Sequence, residues 1–108
     1  MEELSALPFE VTETTYTVYW QTLAQIRYTG EGQSAVYRKS SGSVDNSGDY
    51  NVYDMVAQKE IRSKQVTLKG NGGTYSLALW TDGEYAYSLR FDSGVSEEAL
   101  LQIISGVN

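Results

Sequence analysis

A chain of 108 residues and 12.0 kDa suits one domain, large enough to bury roughly two-thirds of its unfolded surface. The net charge is −6, and no run of Lys and Arg is longer than the pair Arg38-Lys39, so the sequence carries no basic run for nucleic-acid phosphates or anionic lipid. Cysteine and histidine are both absent, which removes disulfides, thiolate nucleophiles, Ser-His-Asp triads and the usual zinc ligand sets.

Residues 2–7 read as a short helical turn ending before Pro8, because the residue preceding proline avoids the α region. Residues 9–20, rich in Thr, Tyr and Val, read as extended. Residues 23–28 form a strand with Ala24, Ile26 and Tyr28 on one side. A turn at 29–32 leads to the next strand at 34–39. The polar stretch 40–49 (SSGSVDNSGD) is the one long loop, and 51–61 is a strand of weaker alternation that turns at 62–64. Residues 65–91 read as three strands joined by turns at Asn71-Gly72 and Asp82-Gly83, whose residues tolerate positive φ. Residues 96–107 form a helix: Ser96 suits the N-cap, Glu97 and Glu98 favour the positive end of the helix dipole, and Leu100, Ile103 and Ile104 share a stripe. No apolar run reaches membrane-spanning length, and no signal-like segment follows Met1. The expectation is a single α+β domain, residues 1–108. It comprises an antiparallel sheet of six or seven strands, mostly a meander, with the C-terminal helix on one face and a short N-terminal helix.

Register can be argued within the clear region. A two-residue turn at Asn71-Gly72 would pair Leu68 with Tyr75 and Val66 with Leu77. A three-residue loop at 81–83 would then gather Tyr75, Leu77, Leu79, Tyr85, Tyr87, Leu89 and Phe91 on one face. Trp80 would stand on the other among Ser76, Ala78, Ala86 and Ser88, pointing away from the helix.

Several segments in order resemble a bacterial family, domain of unknown function 4367: AQIRY (24–28), VYRKSSG (36–42), DNSGDYNVYD (45–54), VTLKG (66–70), LALWTDG…YSL (77–89) and SEEALLQII (96–104). They cover most of the chain from about Ala24. The resemblance implies an extracytoplasmic domain of lipoproteins and anti-sigma-like membrane proteins of Gram-positive bacteria, with the signal and anchor outside this chain. The family has no established activity, so no catalytic residue carries over.

The site candidates each have a plainer reading. Residues 45–49 (DNSGD) begin like a calcium loop, but Val56 stands where the twelfth-position acid belongs, and these residue types also suit any turn. Ser63-Lys64 sits in a turn with nothing to desolvate the lysine, and scattered acids make chance carboxylate pairs. No metal, cofactor or catalytic set is expected. Trp80, framed by small residues, is either a stacking platform for a sugar ring or peptide, or is covered by residues 9–20 or the 40–49 loop; covering is the preferred expectation. Arg38 and Arg90 are the other ligand-binding candidates, with surface ion pairs as their plainer role. The expected function is a non-catalytic extracytoplasmic binding or sensing module of a larger membrane-attached protein, its ligand a protein, peptide or glycan rather than nucleic acid. The alternatives are an interaction or inhibitor domain using an exposed strand edge and, behind it, a small carboxylate-based hydrolase.

Overall fold

The computed structural model describes Leu4, Leu7 and residues 9–19, 23–41, 53–81 and 84–106. Seven antiparallel strands form one sheet: β1 Glu13–Tyr19, β2 Leu23–Gly30, β3 Gln33–Ser41, β4 Met55–Ile61, β5 Lys64–Asn71, β6 Thr74–Thr81 and β7 Tyr85–Val95. The helix α1, Glu97–Ser105, follows β7. The strand order is β1-β2-β3-β7-β6-β5-β4. The sheet is therefore two meanders, β1–β3 and β4–β7, joined at a central β3–β7 seam rather than one continuous meander. Pairing β3 with β7 brings together two strands with long buried stretches, so neither is left at an edge.

Alternation separates the two faces. Ile26, Tyr28, Ala35, Tyr37, Val66, Leu68, Ala78, Trp80, Tyr87, Leu89 and Phe91 share one core cluster with Leu100, Ile103 and Ile104 of α1. Each of those three helix residues is fully buried, contributing about 1.5–3 kcal/mol before entropy. The cap forms as the sequence requires: Ser96 Oγ accepts the Ala99 N–H at 3.1 Å. The Lys59–Glu97 ion pair at 3.2 Å ties α1 to β4. Arg62 Nη1 donates to the Ser105 carbonyl at 2.6 Å, securing the other end of the helix. The N-terminal segment covers a separate part of the same face. Leu4 N–H donates to Tyr28 Oη at 2.8 Å, and Leu7, Phe9 and Val11 pack against the core. The expected N-terminal helix falls mostly outside the described residues, as does most of the 40–49 loop.

Both expected turns in the clear region are displaced. At the first, Asn71 pairs with Thr74, so the turn residues are Gly72 and Gly73, with φ of 65° and 90°. Two glycines accept two consecutive left-handed positions more readily than Asn-Gly does. A shift between Lys69 and Gly70 then moves the ladder by one more residue, so Leu68 meets Ala78 and Val66 meets Trp80. Gly70 permits this: a Cβ there would collide with the Thr74 carbonyl oxygen. At the second turn Thr81 pairs with Ala86 and Trp80 with Tyr87, so four residues intervene rather than three. The two displacements agree. They turn Ala78 and Trp80 toward the helix face and send Leu77 and Leu79 to the opposite one, reversing the expected orientation of β6. The bulky indole gains the deeper site, with the small Ala78 beside it.

Candidate functional site

The three candidate ligand residues divide between the faces. Trp80 is 2% exposed and stacks in the core, 5.4 Å from Tyr87 at 7° and 6.1 Å from Tyr37 at 21°. Trp80 is buried, but in the core cluster of the helix face rather than beneath residues 9–20 or the 40–49 loop on the polar face, so the expected register is overturned and with it both the platform and the covering expected there. Among the described residues its buried Nε1–H has no hydrogen-bond partner, an uncommon condition for an indole. At the margin of this stack Lys39 Nζ lies 4.2 Å from the Tyr85 ring centroid and 5.6 Å from that of Tyr87. A cation over two ring faces is held by their quadrupoles, an attraction of roughly 0.5–1 kcal/mol at a partly exposed position.

Arg38 and Arg90 project from the opposite, outer face, and there the structure brings together residues that are far apart in the chain. Strand pairing sets out one row across the sheet: Thr15, Arg27, Val36, Arg90, Leu77, Lys69 and Val56. Cations occupy every second strand of this row from β2, with Val36 and Leu77 between them and Val56 beyond Lys69 at the β4 edge. The adjacent row reads Thr17, Gln25, Arg38, Ser88, Leu79, Thr67 and Gln58. Arg38 is thus diagonal to both Arg27 and Arg90, a Cα separation of about 7–8 Å. Its Nε donates to Gln25 Oε1 at 2.8 Å, which fixes the guanidinium plane from a side chain that is itself buried.

The floor of this face is also dry: Val36, Leu77, Ala86, Ser88 and Gln25 are all buried. Arginine stems spread over such a floor while their heads reach water. Among the described residues, no ion pair or side-chain hydrogen bond engages Arg27 or Arg90. The flanking acids are Glu13, diagonal to Arg27, and Asp92, two residues beyond Arg90, whose Oδ1 accepts the Ser34 N–H at 2.9 Å. Four of the chain's eight basic residues therefore share one face of an acidic protein, Arg27, Arg38, Lys69 and Arg90. Arg27 and Lys69 were absent from the candidates. The available signal was local alternation, with Arg27 between the inward Ile26 and Tyr28, and Lys69 after the inward Leu68.

Ser63 and Lys64 lie at the β4–β5 turn, and the calcium-like stretch lies outside the described residues. No protein-family model, curated protein or solved structure matches the chain.

Proposed function

We propose that this chain is a non-catalytic extracytoplasmic binding or sensing module, one part of a larger membrane-attached bacterial protein. The observation that carries the binding half of the reading is the outer sheet face. It presents charged side chains from rigid paired strands over a buried floor, with one guanidinium held in orientation by a buried glutamine. Sites of this kind recognise ligands without needing a group that transfers protons. The extracytoplasmic half rests on the ordered resemblance of six segments to the domain of unknown function 4367 family. Protease treatment of intact cells producing the native full-length protein tests it. Cleavage of this domain from outside is the expected result, and full protection until the membrane is permeabilised would refute it.

A second reading has its own observation. Strand β1 is an edge, and it carries Tyr16, Val18 and Tyr19 among the exposed large apolar residues, with Val18 at 70%. Glu13 is its one charged residue, whereas β4, at the other edge, carries Lys59 and Glu60. An edge with few charges accepts an added strand, and charged residues along it discourage one. Under this reading the domain docks a partner's extended segment on β1. Val18→Lys then abolishes capture of that partner while leaving thermal stability in place; unaffected capture excludes the edge.

A further inference from the structure

We propose that Arg27, Arg38 and Arg90 form a binding site for a compact oligoanion, a ligand carrying two or more carboxylate or phosphate groups. This inference rests on the binding-module reading above and names the ligand chemistry and the residues that recognise it.

Geometry is the first support. Arg27 and Arg90 lie directly opposite Val36 on its two neighbouring strands, so they stand two strand spacings apart, about 10 Å. Arg38, two residues along β3, closes a triangle over that same buried valine. Guanidiniums present planar forks of N–H donors that match carboxylate and phosphate oxygens in pairs. Three forks at this separation exceed what one small anion spans, and suit two or three linked anionic groups.

Electrostatics is the second. Like charges held on neighbouring strands repel one another, and Arg27 and Arg90 have no carboxylate partner among the described residues. Glu13 and Asp92 flank the triangle rather than fill it, and the Asp92 carboxylate is already engaged by the Ser34 N–H. An anion over Val36 would relieve the repulsion between Arg27 and Arg90, with Arg38 adding a third, already oriented fork. The size of the ligand follows from the remaining charge. The chain is −6 overall, so a long polyanion extending past the patch meets repulsion within a Debye length of about 8 Å at physiological salt. A compact ligand confined to the triangle avoids it.

Calorimetric titration of the domain at low salt with inorganic phosphate, pyrophosphate, tripolyphosphate and citrate tests the site. Affinity should rise from phosphate through pyrophosphate to tripolyphosphate, and either tripolyphosphate or citrate should bind most tightly, naming phosphate or carboxylate as the natural group. Arg27→Gln and Arg90→Gln should each weaken the best ligand roughly tenfold, the scale of one charge-assisted hydrogen bond. Lys64→Gln, which removes the same charge at the β4–β5 turn, should leave it nearly unchanged. Absence of binding by all four anions overturns the site, as does binding that Lys64→Gln weakens as much as the arginine changes. Such a failure would leave the protease result untouched, so the two proposals fail separately. Circular dichroism of each variant confirms that the fold is intact.

Discussion

Two substitutions at Trp80 separate the value of its packing from the cost of its orphaned N–H. Burying a side chain of this size removes about 150–250 Å² from water, which at ~25 cal/mol per Å² is about 4–6 kcal/mol. Trp80→Ala forfeits most of this, together with the parallel contacts to Tyr87 and Tyr37, and should cost about 3–5 kcal/mol after the site relaxes. Trp80→Phe keeps a ring in the stack and loses about 50 Å², roughly 1.3 kcal/mol. It also removes the buried, unpartnered Nε1–H, whose desolvation costs about 1–3 kcal/mol. The two effects nearly cancel, so Trp80→Phe should fall within about 1 kcal/mol of the parent. Urea unfolding followed by far-ultraviolet circular dichroism reads both. With a slope of about 2 kcal/mol per molar urea, alanine lowers the midpoint by roughly 2 M and phenylalanine by less than about 0.5 M. If phenylalanine costs as much as alanine, the Nε1–H does have a partner, and the cancellation is refuted.

Gly70→Ala should destabilise the domain by more than 2 kcal/mol, about the scale of a forced backbone shift, because its methyl meets the Thr74 carbonyl; an unchanged melting temperature would refute the bulge. Ser96→Ala should cost about 1 kcal/mol by releasing the Ala99 N–H, visible as a drop of about 4–8 °C in melting temperature. Ser63, at φ 70°, should tolerate glycine with no loss or a gain of up to about 1 kcal/mol, since L-residues are strained there; a clear loss in the same melting assay would contradict this.

What could be read from the sequence was local. The alternation of Ala24, Ile26 and Tyr28, the cap at Ser96 and the helix stripe each lie within one element, and each appears as expected. The orientation of β6 could not be read the same way, because both of its faces carry large apolar residues: Leu77 and Leu79 on one, Trp80 on the other. The choice was made outside the strand, by Gly72-Gly73 with the Gly70 irregularity on one side and a four-residue loop on the other. Segregating the leucines was a weaker constraint than seating the indole. The arginine triangle was hidden for a related reason. Arg27, Arg38 and Arg90 come from three strands, and although the β2–β3 hairpin sets Arg27 beside Arg38, only the pairing of β3 with β7 brings Arg90 to them. That pairing leaves no local trace, since the connection between β3 and β4 runs through the polar stretch that reads simply as a loop.

The β3–β7 seam also orders events in time. Every other strand pair in the sheet joins neighbours in the sequence, whereas Ser41 meets Tyr85 and Ala35 meets Phe91, separations of 44 and 56 residues. Closing such a distance costs chain entropy before any contact repays it. The segment from β4 through α1 can collapse on itself, with Leu100, Ile103 and Ile104 meeting Val66, Leu68 and Ala78 while β1–β3 is still an unattached hairpin stack. The seam would then zip last, so that changes within it accelerate unfolding while barely slowing refolding. Since Arg38 and Arg90 become diagonal neighbours only across that seam, the proposed ligand site would be assembled in the final step of folding.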